Sequence, residues 1–296
     1  MWWLPIALLS PILYATTNII DGFIANRRLP DIPALVFYAS LFNLVFLPLL
    51  FVIDPFVLPS VWLCFVMLLI GAANVLYLFP YYRSLQTSDT SIVISLFSLA
   101  NIFIPLGAYL FLGERLAPWQ YAGFAVIVLS SALLTFDPKK FRPSATFGLM
   151  LLSSLLVTFQ SMAFKYLFNE GVTWGTALSG TSFCAFLSVL PLLVIPRIRK
   201  SVIGGWGTFR QSLPLFALEE TVAFGASAAA TYAIMLVPLT FEKTVEAFQP
   251  AFVLLFAVLF SRFFPRVFKE KIDPKSLAGK LVLFAVMGFG IWLMAG

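Results

Sequence analysis

Ten stretches of about twenty mostly apolar residues, set apart by short clusters of charge and proline, constrain this chain more than any other feature of it. A helix crossing a bilayer needs about 20 such residues at a rise of about 1.5 Å each. The stretches run over 3–25, 33–52, 60–82, 90–112, 118–136, 146–168, 174–195, 213–237, 241–260 and 276–295. Between them stand breakers such as Asp54-Pro55, Asp137-Pro138-Lys139-Lys140 and Asp273-Pro274. The longest separator, 196–212, is basic and glycine-rich and reads as a loop. Pro80, Pro105 and Pro238 are expected at kinks or ends. One oversized soluble core is excluded, because 61% of the residues are apolar and only 11% charged. Soluble cores stop growing at about this length, so lipid must wet most of the surface.

The same composition narrows the chemistry. No histidine occurs, which removes histidine relays and the histidine pair of a zinc protease. No cofactor and no metal site are expected. Cys64 and Cys184 sit within apolar runs and read as small buried hydrophobes. The first stretch lacks the basic leader and small-residue cleavage site of a signal peptide, so it is expected to stay as a helix. A net charge of +6 would suggest nucleic acid in a soluble protein. Here the basic residues lie in loops and speak of topology instead, with no nucleic-acid partner expected. Odd-numbered loops hold fifteen Lys and Arg, and even-numbered loops only Arg115 and Lys243. The positive-inside rule then places the odd loops in the cytoplasm and both termini outside.

The stretches also repeat. Gly113-Glu114-Arg115-Leu116-Ala117-Pro118, with Gly123 five further on, matches Lys269-Glu270-Lys271-Ile272-Asp273-Pro274, with Gly279 five further on. Both copies precede the apolar stretch that closes their half. Residues 1–140 and 141–296 are therefore read as two repeats of five helices within one transmembrane domain. An odd number of crossings per repeat makes the second copy enter from the opposite side. Inverted repeats of this kind bind substrate near the midplane, between the halves. The expected fold is all-α, ten transmembrane helices in two inverted five-helix repeats.

Tyr82-Arg83-Ser84-Leu85-Gln86-Thr87-Ser88, Ser98-Leu99-Ala100-Asn101, Leu110-Phe111-Leu112-Gly113-Glu114-Arg115-Leu116 and Gln120-Tyr121-Ala122-Gly123 together resemble the EamA-type drug/metabolite transporters. The Gly-Glu-Arg-Leu element is the most specific part. Asn101 stands where that family usually has proline, with Pro105 a turn later, and the second half keeps Pro250. The second half also replaces Gly-Glu by Lys269-Glu270 and inserts residues around 264–268. The resemblance implies a transporter with both termini cytoplasmic, against the charge count. It leaves the substrate open among amino acids, sugars, nucleotide conjugates, quaternary amines and drugs.

Ionisable side chains inside apolar spans cost about 2.5–3.5 kcal/mol each, so each asks for a reason. Glu219 and Glu220 come two turns into the eighth span, and Glu242, Lys243 and Glu246 open the ninth. Neighbours on a helix point about 100° apart, so only one of Glu219 and Glu220 is expected to face a cavity centre. That one, with Glu246, is the candidate for a substrate cation. Asp21 and Lys165 occupy similar places in the first and sixth spans and are candidate gate or substrate residues, though snorkelling also accounts for Lys165. Asn18 and Gln160, one turn deeper, and Asn74 are candidate hydrogen-bonding amides. Tyr77, Tyr81, Tyr82 and Trp174 could cage a cation, or form an interfacial aromatic belt.

The function expected is secondary transport of a small polar metabolite, most of all an amine: an amino acid, a quaternary amine or a cationic drug. Anionic nucleotide or sugar conjugates, or a receptor or assembly subunit that does not transport, are the alternatives. The partners expected are a small-molecule substrate, the lipid bilayer, and protons or a counter-substrate, for a monomer or homodimer in a prokaryotic cell membrane. No GxxxxGK[ST] loop is present to bind ATP.

Overall fold

A computed structural model describes residues 2–29, 31–88, 93, 94, 96, 97, 103–135, 145–253, 255, 256 and 274–295. Among them every regular element is helical. The first helix, α1, covers Leu4–Phe23 and runs on through a π turn, Ile24–Arg28. The second crossing is built of α2 (Ile32–Phe42), a 3-10 turn and α3 (Leu47–Ile53). Then follow α4 (Val61–Thr87), α5 (Ile104–Leu112), α6 (Pro118–Thr135) and α7 (Ala145–Asn169). The chain continues in α8 (Trp174–Val189), α9 (Pro196–Leu236), α10 (Leu239–Glu246) and α11 (Pro274–Ala295). The match to Lys269–Asp273 and the residue at 101 lie outside the described residues.

Helix starts follow local chemistry. Asp31 accepts from the Ala34 N–H at 3.4 Å, Ser60 from Leu63 at 3.4 Å, and Thr173 from Thr176 at 3.3 Å. Each satisfies a donor that the first turn leaves without a partner. Among the described residues five runs are long and apolar enough to cross a membrane: Leu4–Arg28, Ile32–Ile53, Val61–Thr87, Ala145–Asn169 and Trp174–Val194. Polarity is arranged for lipid, with Val61 (89% exposed) and Phe111 (78%) outside while Ser10, Ser153 and Ser179 are buried. Small residues set the closest approaches, as expected where lipid supplies no hydrophobic drive between helices. A Cβ on Gly71 of α4 would lie 2.5 Å from the Ala185 nitrogen of α8, and one on Gly123 of α6 2.7 Å from the Gly290 oxygen of α11.

The packing pairs α4 with α7 and α8, α1 with α9, and α6 with α11. Cys64 and Cys184 are free thiols, and both are half-buried rather than buried. Pro80 lies inside α4 without ending it. Pro105 falls in the first turn of α5 and Pro238 caps α10, so these two mark ends as expected.

The largest departure from the sequence reading is 196–212. It is no loop but the first 17 residues of α9, a continuous helix of 41 residues. Its glycines are tolerated because one face packs on α2. Phe209 stacks on Tyr38 with ring centroids 4.1 Å apart, and the Tyr38 hydroxyl donates to the Val202 carbonyl at 2.6 Å. A Cβ on Gly205 would already be 3.0 Å from the Ala34 Cβ. Pro214 sits inside the helix and withdraws one ladder hydrogen bond.

Candidate functional site

A cavity of about 220 Å³ opens among α1, α2, α4, α7, α9 and α10. From α9 both Glu219 and Glu220 line it, 4% and 5% exposed. This corrects the expectation that only one could face it. The cavity touches α9 along a broad stripe that includes Glu219, Glu220, Ala223, Phe224 and Ser227, wide enough to take in side chains 100° apart. Among the described residues neither carboxylate has a hydrogen bond or an ion pair.

Asp21 of α1 joins them on the wall. The Tyr81 hydroxyl lies 3.0 Å from one of its oxygens and 2.8 Å from Asn18 Oδ1, and the Tyr82 hydroxyl donates to Asp21 at 3.4 Å. Tyr81, Tyr82 and Tyr77 thus line a cavity and form no interfacial belt. Their hydroxyls and rings hold an acidic wall in place, with the Tyr77 and Tyr81 centroids 6.3 Å apart. Asn74 lines the same space. Asn18 Nδ2 and Gln160 Nε2 are buried amide donors on the wall with no partner among the described residues. A buried donor left unmade costs roughly 1–3 kcal/mol, so both suit an acceptor on an occupant or an ordered water.

At α10 the charge is balanced differently. Lys243 donates to Glu246 and lies 3.3 Å from Glu242, which is 1% exposed. Lys243 and Glu246 line the cavity; Glu242 stands behind them. The four acids on the wall (Asp21, Glu219, Glu220 and Glu246) face one lysine.

Two candidates belong elsewhere. Lys165 does not line the cavity; its ammonium donates to the carbonyls of Ile234 at 3.0 Å and Val237 at 2.8 Å, where α9 ends. A cation is stabilised at a helix C-terminus by the partial negative charge there. Trp174 is likewise held away, its indole N–H donating to Thr231 Oγ1 at 3.0 Å. Glu114 of the Gly-Glu-Arg element complements Lys165 across the break at Pro238. Its carboxylate accepts from the Leu239 N–H at 2.6 Å, and from the Thr240 N–H at 3.3 Å and hydroxyl at 3.2 Å. One helix end is capped by a cation and the next helix start by an anion.

Tyr14, Thr17 and Ser227 also line the site. A hydroxyl in an apolar span, short as in Thr17 and Ser227 or phenolic as in Tyr14, carries no signal that separates a cavity from a helix contact.

Residues 1–136 match the EamA-like transporter family. No curated protein matches the chain. A solved structure titled only as the crystal structure of a protein superposes with a TM-score of 0.66 at 16% identity, over 99% of this chain and 95% of that one. At that identity the likeness concerns the fold, which is shared over nearly the full length. Residues 1–136 are thus an EamA-like transporter domain, in a multi-pass membrane protein.

Proposed function

We propose, with the EamA-like transporter domain as premise, that the protein is a secondary transporter of small amine-bearing metabolites rather than an enzyme. It works by alternating access between two inverted five-helix repeats, 1–140 and 141–296, in the cell membrane. The pairing of helices supports this plan. The third crossing of the first half, α4, packs on the first of the second half, α7, and the reciprocal pair, α9 on α1, packs likewise. A pseudo-two-fold axis in the membrane plane requires both pairs together.

The observation that carries the substrate class is the pair Glu219 and Glu220, buried on the cavity wall beside Asp21 with no cation among the described residues. Carboxylates in a poorly hydrated space need a cation or a proton. An amine therefore fits where an anion would be repelled. An anion would need a basic group to receive it, and the Lys165 ammonium is already engaged by two carbonyls. Carboxylates that take a proton when the amine leaves provide coupling without histidine. Asn18 and Gln160 offer donors to the acceptor of a zwitterion.

Counterflow of labelled amines into proteoliposomes tests the reading. Glu219→Gln and Glu220→Gln should each lower exchange at least ~10-fold, the loss of one interaction of about 1.4 kcal/mol, in protein that stays monodisperse. Normal exchange by both variants, or a preference for purely anionic solutes, would overturn it.

A further inference from the structure

We propose that Lys243 is a tethered stand-in for a substrate ammonium, and that it sets the charge class of what the cavity accepts. The inference rests on the amine reading above. The cavity has acids at two levels. One is Asp21, Glu219 and Glu220, without a cation; the other is Glu246, occupied by Lys243. Val245, beside Glu246, packs with Ala7, which precedes Asp21 by 14 residues and so by about 21 Å of helix. The two acidic levels therefore lie apart along the length of α1. Tyr77 and Phe224 line the space too, a wall suited to methylenes.

Such a cavity would otherwise select a molecule with a cation at each end. Lys243 forestalls that. Its own ammonium fills the second level, clamped between Glu246 and Glu242, with its side chain 5% exposed. A second substrate ammonium could reach Glu246 only by displacing the Lys243 ammonium, which would then keep Glu242 as its single carboxylate partner. A substrate with one positive charge meets no such competition. Lys243 therefore favours monoamines and zwitterions and turns away linear diamines.

The test keeps the local charge constant. Glu242, Lys243 and Glu246 sum to −1 (two acids, one base), and K243M combined with E242Q also leaves −1, now on an unoccupied Glu246. Binding of a homologous series of α,ω-diamines and the matching monoamines to the purified full chain is measured for wild type and variant. The diamine-to-monoamine affinity ratio should rise at least ~10-fold in K243M/E242Q, stay at the wild-type value in K243R, and fall back when E246Q is added. Should the double variant not purify as a monodisperse protein, K243Q/E242Q, which also leaves −1, is read the same way. An unmoved ratio in the variant, with monoamines binding wild type, overturns the role of Lys243 alone. Wild type that binds no monoamine overturns the amine reading, and this inference with it.

Discussion

Replacing Glu114 should loosen the start of α10 by an amount that can be worked from its three contacts. The carboxylate takes two backbone donors, at 2.6 and 3.3 Å, and one hydroxyl at 3.2 Å. Hydrogen bonds to a charged acceptor contribute about 1.5–3 kcal/mol when dry, but Glu114 is only half-buried, and exposure screens the charge. Loss of a helix cap costs about 0.5–2 kcal/mol. Glu114→Ala should therefore cost about 2 kcal/mol, at the upper end of that range. Glu114→Gln keeps one acceptor and loses the charge, so it should cost about 1 kcal/mol. Reversible unfolding in mixed micelles, followed by tryptophan fluorescence, measures both. An alanine variant within about 0.5 kcal/mol of wild type would refute the capping argument. A glutamine variant equal to wild type would refute the share assigned to charge.

Gly71→Ala should cost more than about 2 kcal/mol in the same assay, because the added methyl meets backbone of α8 at 2.5 Å and neither helix can move alone. Tyr81→Phe removes the hydroxyl shared by Asn18 and Asp21. It should cost about 1–3 kcal/mol and weaken amine binding in a calorimetric titration; unchanged affinity would separate the tyrosine from the acidic wall. A C-terminal alkaline phosphatase fusion should be active and a fluorescent protein fusion dark if the fifteen basic residues of the odd loops decide orientation. The reverse pattern would favour the cytoplasmic termini that the family resemblance implies.

Some of the site was legible before any coordinates, and the misses share a cause. Apolar spans make an ionisable residue conspicuous, so Glu219, Glu220, Glu246 and Asp21 stood out by cost alone. Depth along a span can be counted in residues, which marks Asn18, Asn74 and Gln160, while ring chemistry marks Tyr77 and Tyr81, and all five line the cavity. Azimuth cannot be counted that way. Whether Glu220 shares the cavity with Glu219 depends on how wide a strip of α9 the neighbours leave open. Lys165 has the right depth, yet its ammonium meets the end of α9, a contact between helices 69 and 72 residues apart in sequence. The arm at 196–212 departs from its sequence pattern for a similar reason. Glycine and charge argue for a loop locally, and only the packing of Val202, Gly205 and Phe209 on α2 outweighs them.

The 41-residue α9 has a mechanical consequence. It is a rod of about 60 Å, pinned near one end where Lys165 grips the carbonyls of Ile234 and Val237. Glu219 and Glu220 ride about 20 Å from that pivot, and the basic far end of the arm, Arg197 to Lys200, more than about 50 Å from it. A swing of about 10° would carry the carboxylates about 4 Å and the arm about 10 Å. Pro214 falls between the two, five residues before Glu219, where a missing ladder bond softens the rod. A force applied at the arm is thus geared down to a displacement of carboxylate size, and its line of action runs through Glu219 and Glu220.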